Sequence, residues 1–374
     1  MESGEDRAEA TRWERLLEEV PRHLFVPDIA VVGPILDDPR SWIDRTADPA
    51  RWREAVDSDT ALGTQLDDGA VDLAVKTGAD PCALPTSSTS APHLVAAMLD
   101  LLGAEQGDRV LEIGTGTGWT AALLARRVGE GNIVSVEIDA AVAAQAAENL
   151  RSAGVAVQLV TADGTKGWPA GAPYDRVHVT VGAADIPYAW VEQTRPGGVI
   201  VLPWMPRWEG AGHLLKLAVH DGAASGRLHD DCGFMLLRDQ RPRSTRITGE
   251  PRESAATIDP RVFRLDEQGL AVAVAGLLPG VSGGGCQNAD GTHRVAAREG
   301  DSHALAIYQP DSGRTEVSQR GPRDLWNELE DIVRRWEDWG RPQAHRYGVT
   351  ITKDGLRFWL DRADRSASVR PRRA

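Results

Sequence analysis

The stretch Leu111-Glu-Ile-Gly-Thr-Gly-Thr-Gly-Trp119 places three alternating glycines directly after a short apolar run and before an apolar run of helical composition. Glycine has no side chain to clash, so a glycine-rich turn between a strand and a helix lets the backbone approach a ligand closely. This pattern alone is a weak signal, because dinucleotide sites share it. It therefore predicts a ligand site at a strand–helix turn, and the residues around it decide which ligand fits.

Three acidic residues accompany three successive apolar runs. Glu112 lies two residues before the first glycine, where a carboxylate can hold the amino group of a methionine moiety, directly or through water. Glu137 ends the second run, where an acid can accept bonds from both ribose hydroxyls. Asp163 follows the third run, in position for an adenine amino group. The set fits S-adenosylmethionine and disfavours a pyrophosphate, which Glu112 would repel. The alternative is that Glu137 and Asp163 only cap the helices that follow.

Apolar runs alternate with helical patterns along the middle of the chain. The predicted strands are 109–113, 132–138, 157–162, 176–181 and 198–203, and the segments 213–220 and 232–238 are expected to complete the sheet. Strands that are apolar almost throughout are typical of a parallel sheet covered on both faces. We expect an α/β fold, with a Rossmann-like sheet that has helices on both faces, and a smaller C-terminal α+β domain.

The domain organisation follows from changes in composition. An Arg- and Pro-rich stretch after residue 238 indicates a linker, and the last residues collect arginines beside Ser and Pro. The expected divisions are a helical or irregular N-terminal substrate-gripping segment (1–90), a cofactor-binding domain (91–238), a linker (239–262), an α+β accessory domain (263–363) and a disordered basic tail (364–374).

Composition excludes several classes of protein. The formal net charge of −13 repels phosphate backbones, so we expect no nucleic-acid partner. No run of about 18 apolar residues occurs, and the N-terminus lacks the apolar core of a signal peptide, which together predict a cytoplasmic protein without membrane association. The three cysteines lie far apart and form no metal-binding framework, so no metal is expected.

Seven segments, in order between about residues 11 and 238, resemble the protein-L-isoaspartate O-methyltransferase family. They are Val20-Pro-Arg-His-Leu-Phe-Val-Pro27, Thr89-Ser-Ala-Pro-His93, residues 110–118, Val134-Ser-Val-Glu-Ile-Asp139, Asp163-Gly164 with Gly167-Trp168, residues 179–184 with Ile186-Pro187, and residues 196–203. The resemblance implies S-adenosylmethionine-dependent methylation of an isoaspartyl or aspartyl carboxylate in a peptide or protein. A carboxyl group with a pKa of about 4 is already ionised at neutral pH, so this reaction needs no general base.

The resemblance also implies roles for individual residues. Ser90 would lie beside the substrate carboxylate, although it could equally be the N-cap of a helix beginning at Ala91. His93 would lie near the cofactor, unless it is merely a packed histidine. The implied cofactor-binding residues are His93, Glu112, Gly114, Thr115, Gly116, Gly118, Glu137, Ile138, Asp163 and Gly164, and the implied substrate-binding residues are Ser88, Thr89, Val181, Gly182 and Ala183.

Two departures from the family's repair enzymes concern the substrate. Residues 28–89 are much longer than the corresponding link in repair enzymes, and the chain continues well beyond the sheet. Elements added around a site tend to narrow substrate choice. The C-terminal run around Arg320-Gly-Pro-Arg-Asp-Leu-Trp326 resembles the branch associated with ribosomally made, modified peptides of the graspetide and lanthipeptide type. We therefore expect methylation of an Asp side chain in a macrocyclic peptide, leading to aspartimide or isoaspartate. General isoaspartyl repair and a non-catalytic binding module are the alternatives.

Overall fold

The computed structural model describes residues 15–33, 42–75, 83–242, 247 and 249–364. The chain forms two compact units. The first comprises residues 1–181, 187–202 and 218–222, and the second comprises residues 182–186, 203–217 and 223–374. The expected basic tail lies outside the described residues from residue 365 onwards.

The N-terminal part of the first unit is a small antiparallel sheet with its own core, and not the helical or irregular segment expected from its sequence, because its short strands pair through their backbones. Its elements are β1 (Ile29–Val32), β2 (Trp42–Asp44), α1 (Pro49–Asp57), β3 (Leu62–Leu66) and β4 (Pro85–Thr89), and the strand order is β2-β1-β3-β4. Trp52 and Val56 on α1 pack with Ile43 and Leu62 from the sheet. β3 pairs in turn with β4, whose last residue directly precedes Ser90.

The rest of the first unit contains the parallel sheet that the apolar runs predict. Its elements are α2 (Pro92–Leu102), β5 (Val110–Ile113), α3 (Trp119–Val128), β6 (Ile133–Glu137), α4 (Ala140–Ser152), β7 (Gln158–Thr161), β8 (Tyr174–Val179), α5 (Tyr188–Glu192) and β9 (Thr194–Trp204). These parallel strands lie in the order β9-β8-β5-β6-β7. Starting from β5, the chain adds β6 and β7 on one side and then β8 and β9 on the other. Since parallel crossovers are right-handed, this change of side places helices on opposite faces and opens a ligand crevice beside β5. The Rossmann-like prediction is confirmed.

The second unit combines two groups of strands with two helices. Its elements are β10 (His213–His220, of which residues 218–220 belong to the first unit), β11 (Ala223–Asp231), β12 (Arg252–Ala255), α6 (Gln268–Leu277), β13 (Ser282–Gln287), β14 (His293–Glu299), β15 (Ser302–Gln309), β16 (Arg314–Arg320), α7 (Leu325–Asp338), β17 (Tyr347–Thr352) and β18 (Gly355–Leu360). The last two residues of β9 also belong to this unit. Five strands form a sheet in the order β12-β16-β15-β14-β13, and the others follow the order β10-β11-β17-β18. The apolar stripe of α7 is buried from Leu325 to Trp336.

Two expectations for this part of the chain differ from the structure. The predicted strand 232–238 is wrong, because the strand is β11, whose polar sequence pairs with β17 through its backbone. The stretch 239–262, expected as a linker, contains β12 at the edge of the five-stranded sheet. An edge strand needs a partner on one side only, so its side chains can remain polar and exposed. None of the described helices is long and apolar enough to cross a membrane.

Candidate active site

The glycine turn leaves β5 with a backbone conformation that favours glycine. Gly114 has a φ of +93°, and a Cβ atom at this position would lie 2.7 Å from Thr180 Oγ1. Gly116 has a φ of +54°, and its amide donates to Glu137 Oε2 at 3.0 Å. Gly118, with a φ of +88°, is the N-cap of α3. The turn therefore approaches a ligand with bare backbone, as the sequence predicts.

Glu112 lies in the middle of the sheet between two polar neighbours. The register places it beside Ser135 of β6 and His178 of β8. Ser135 donates to Glu112 Oε2 at 2.5 Å, and the hydroxyl of Thr115 lies 2.6 Å from that of Ser135. The other carboxylate oxygen, Glu112 Oε1, is buried 3.8 Å from His178 Nδ1 and has no hydrogen bond within the described part of the chain.

An orphaned buried carboxylate oxygen is costly unless a donor reaches it. The amino group of S-adenosylmethionine, directly or through a water molecule, is such a donor, so the environment of Glu112 fits this cofactor.

Glu137 holds the glycine turn and the start of the next helix together. Its two carboxylate oxygens accept from the amides of Gly116 and Asp139, each at 3.0 Å. Burial raises the pKa of Glu137, and these backbone bonds oppose the rise. The N-cap of α4 is Asp139, so the alternative that Glu137 caps this helix is wrong. The adjacent Ile138 is 44% exposed, an apolar surface against which an adenine ring can pack.

Asp163 does cap the chain that follows it. Its Oδ1 accepts from the amide and hydroxyl of Thr165, at 3.0 and 2.7 Å, at the start of a short 3₁₀ turn. The hydrogen bond from the Thr165 hydroxyl is the main cause that lowers the pKa of Asp163. Its Oδ2 lies 3.7 Å from Lys166 Nζ. The next residue, Gly164, has no room for a side chain, since a Cβ atom would lie 2.6 Å from Ile113 Cγ2.

Ser90 lies between β4 and α2 and is half-buried. Helix α2 begins at Pro92 with Ala91 as its N-cap, so the alternative role of Ser90 as the N-cap is wrong. The Ser90 hydroxyl forms no hydrogen bond with any residue that the structure describes. It can therefore bind a substrate group without breaking an existing contact.

Arg22 fixes the backbone on both sides of Ser90, a role that the sequence analysis missed. Its buried guanidinium lies 5.4 Å from the Trp119 ring, and burial lowers the pKa of Arg22 to about 10. It donates to five carbonyl oxygens: those of Val56 (3.1 Å), Ser58 (3.1 Å), Thr60 (2.6 Å), Thr89 (3.1 Å) and Ser90 (3.0 Å). The only sequence signal was its place in the segment Val20-Pro-Arg22 that resembles the family.

Asp59 contacts the first turn of α2 through His93. Its Oδ1 accepts from the amide of His93 at 3.0 Å and lies 2.9 Å from the ring Nδ1. The bond from the His93 amide is the main cause that lowers the pKa of Asp59. His93 is largely exposed, so the alternative of a packed histidine is wrong. Asp59 comes from the long stretch 28–89, which therefore reaches the Ser90 segment directly.

The first unit brings most of the expected site residues together. The Thr89 hydroxyl lies 3.2 Å from that of Thr117, and a Cβ atom on Gly116 would lie 3.4 Å from the Ser88 carbonyl oxygen. Val181 also belongs to this unit, whereas Gly182 and Ala183 belong to the second unit. There the amide of Gly182 donates to the Met235 carbonyl oxygen, and the amide of Ala183 donates to the Pro203 carbonyl oxygen. Among the described residues no group of three potential metal ligands occurs.

Comparisons with known proteins agree with this geometry. Residues 70–240 match the family model described as protein-L-isoaspartate(D-aspartate) O-methyltransferase (PCMT). The protein-L-isoaspartate O-methyltransferase of Thermococcus onnurineus is 40% identical over 163 residues, which are 42% of this chain and 73% of that protein.

Two further relatives extend the comparison. The protein of the same name from Pyrococcus horikoshii is 44% identical over 165 residues, which are 42% of this chain and 72% of that protein. A solved structure entitled protein-L-isoaspartate O-methyltransferase shares the fold with a TM-score of 0.51 and 20% identity, over 96% of this chain and 97% of its own. The chain therefore belongs to the protein-L-isoaspartate O-methyltransferase family and is an S-adenosylmethionine-dependent carboxyl O-methyltransferase.

Proposed function

We propose that the enzyme methylates the side-chain carboxylate of an Asp residue in a ribosomally made, modified and macrocyclic peptide in the cytoplasm. S-Adenosylmethionine supplies the methyl group, so that the carboxylate oxygen–methyl bond forms while the sulfur–methyl bond breaks. The acceptor is already ionised at neutral pH, and no base has to remove a proton. The protein contributes by aligning the oxygen with the methyl group and by excluding water.

The residues of the first unit have distinct roles in this proposal. Ser90 donates its free hydroxyl to the acceptor carboxylate and selects one oxygen for attack. Glu112 and Glu137 bind the amino and ribose ends of the cofactor, Ile138 packs on its adenine, and Asp163 offers Oδ2 to the adenine amino group. Glu112 Oε1 has no hydrogen bond within the described residues, and the oxygens of Glu137 accept from backbone amides. Asp163 Oδ2 lies 3.7 Å from Lys166 Nζ and would be shared with that ammonium group.

The ester then reacts without further help from the enzyme. The backbone nitrogen of the following residue attacks the ester carbonyl, loses its proton and expels methanol, which leaves a five-membered aspartimide. Water can open this ring to Asp or to isoaspartate. In a macrocyclic peptide the ring can persist as the product.

One observation favours a dedicated peptide substrate. Arg22 and Asp59 join the long stretch 28–89 to the backbone at Ser90 and His93, so this stretch is built onto the substrate side of the site. Additional walls at that side restrict which peptides can enter. The C-terminal resemblance around Arg320 supports the same proposal.

General repair of isoaspartyl residues is the second candidate. The aligned relatives carry the name of that activity, and a solved chain with the same title shares this fold over nearly its full length. A C-terminal unit is therefore compatible with either substrate. The third candidate, a non-catalytic binding module, is disfavoured because the Ser90 hydroxyl and the acidic set are intact.

The test compares methyl transfer to three acceptors: an isoaspartyl peptide, the same peptide with Asp, and a macrocyclic precursor peptide of the graspetide type. Methylation of the precursor alone supports the proposal. Rapid methylation of the linear isoaspartyl peptide contradicts it and identifies a repair enzyme. Cofactor binding without transfer to any of the three contradicts the proposal and the repair alternative alike.

A further inference from the structure

A pocket of about 990 Å³ lies wholly within the second unit. Its walls come from segments around residues 205–212 and 236–242 and from the turns around residues 280–283 and 298–300. The volume is at the upper end of the range of about 300–1,000 Å³ that is usual for ligand sites. No residue of this pocket belongs to the site described above.

Two side chains of the pocket wall hold the loop of residues 182–186. Gln240 Oε1 accepts from the amides of Ala184 and Asp185, at 2.8 and 3.0 Å, and its Nε2 donates to the Asp185 carbonyl at 2.7 Å. Arg207 donates to the Asp185 carboxylate at 2.8 Å. Any ligand that contacts Gln240 or Arg207 therefore also affects the hydrogen bonds that hold this loop.

A second wall of the pocket runs beside the same loop. Leu236 forms a parallel β-bridge with Gly182. The Gly182 amide donates to the Met235 carbonyl oxygen at 2.8 Å, and the Gly182 carbonyl oxygen accepts from the Leu237 amide at 2.9 Å. Gly182 and Ala183 are two of the residues that the family resemblance implies for substrate binding. The loop is thus attached to the pocket by backbone and side chains within one unit.

We infer that this pocket binds a segment of the substrate peptide that lies outside the methylated residue and carries a Lys or Arg side chain. The inference rests on the proposed function in taking the substrate to be a peptide.

The charges of the lining favour a cationic segment. Arg207 is paired with Asp185, and Arg241 and Arg298 also have interaction partners. The lining acids Glu209, Asp231 and Asp239 form no ion pair with any residue that the structure describes. An apolar ligand would strip water from these carboxylates without replacing it, whereas a cationic side chain replaces it.

The experiment uses the full-length enzyme and a peptide series in which one acceptor residue is fixed and a single Lys is moved along its flanks. The variant combines Glu209→Lys with Asp239→Lys, both at exposed positions that leave the loop contacts intact. The control is Glu316→Lys, an exposed acid of β16 outside the pocket. The readouts are kcat/KM and, separately, binding of the labelled peptides without cofactor.

We expect the wild-type enzyme and the control to prefer Lys at particular flank positions by about two- to fivefold, as exposed ion pairs allow. The double variant should lose that preference while its kcat/KM for a short acceptor peptide without flanks stays the same. An unchanged preference in the double variant, or an equal loss in the control, overturns the inference. If no peptide is methylated, the proposed function fails, and the binding arm still decides whether the pocket holds a Lys-containing peptide.

Discussion

Replacing Arg22 by Met tests whether one buried cation fixes the backbone at Ser90. Methionine keeps an unbranched side chain of similar length but removes all the donors. The five carbonyl oxygens that accept from Arg22 then lose a bond, and two of these bonds, to Val56 and Thr89, are fully buried. We expect the substitution to destabilise the fold and to misplace the Ser90 segment.

The magnitude follows from the two buried acceptors. Leaving a buried carbonyl without a donor costs about 1–3 kcal/mol, so the pair accounts for roughly 2–6 kcal/mol. The guanidinium is itself desolvated, which is why its pKa falls to about 10, and removing it returns part of that cost. We expect a net loss of about 2–4 kcal/mol in the free energy of unfolding.

Denaturant unfolding of the full chain measures this loss, and steady-state kinetics measure its effect on the site. Arg22→Lys keeps the charge but supplies one nitrogen instead of a planar fork, so its stability should lie between those of the wild type and Arg22→Met. The control is Arg53→Met on α1, whose exposed ion pair with Asp57 should contribute less than about 0.5 kcal/mol. In surviving Arg22 variants kcat should fall more than cofactor affinity.

The reasoning is refuted if Arg22→Met unfolds within about 0.5 kcal/mol of the wild type and keeps its kcat. It is also refuted if Arg22→Lys and Arg22→Met are indistinguishable in both measurements. In either case the hydrogen bonds to the β4 backbone would not determine the position of Ser90.

Three further predictions concern the cofactor turn and the acceptor. Gly114→Ala should weaken S-adenosylmethionine binding at least about tenfold in titration calorimetry, because a positive φ and the contact with Thr180 strain any side chain, while Gly131→Ala, with open space, should not. Ser90→Ala should lower kcat/KM about 10- to 100-fold with a change in unfolding free energy below about 0.5 kcal/mol; an unaltered rate would remove Ser90 from the site. Cofactor affinity should fall as the pH drops from about 7.5 to about 5, since the ionised carboxylate accepts the ribose bonds and burial raises the pKa of Glu137. A Glu137→Gln variant with the same pH profile would contradict that assignment.

The sequence predicted the features that neighbouring residues determine. The glycine turn and the strands on either side of it depend on local periodicity and on positive φ angles, and the structure has them where the pattern indicates. The hairpin of β17 and β18 and the apolar stripe of α7 also depend on local patterns.

Features that depend on distant partners could not be predicted. The acceptors of Arg22 are backbone carbonyls, which leave no signature in the side-chain sequence, and Asp59 looks like any exposed acid. β12 and β11 are polar because their pairing uses the backbone, so hydrophobic alternation pointed to the wrong segment at 232–238. The burial of Glu112 between Ser135 and His178 required the register of three strands.

The contacts of Arg22 constrain how this enzyme can be recombined. Its acceptors lie between 34 and 68 residues away along the chain, so a crossover point anywhere from residue 23 to residue 89 separates the donor from at least one of them. A graft of the stretch 28–89 onto a shorter relative would have to carry Arg22, Asp59 and the Ser90–His93 turn with it. Exchanging these parts as one block is therefore the practical route to hybrid enzymes with a new peptide preference.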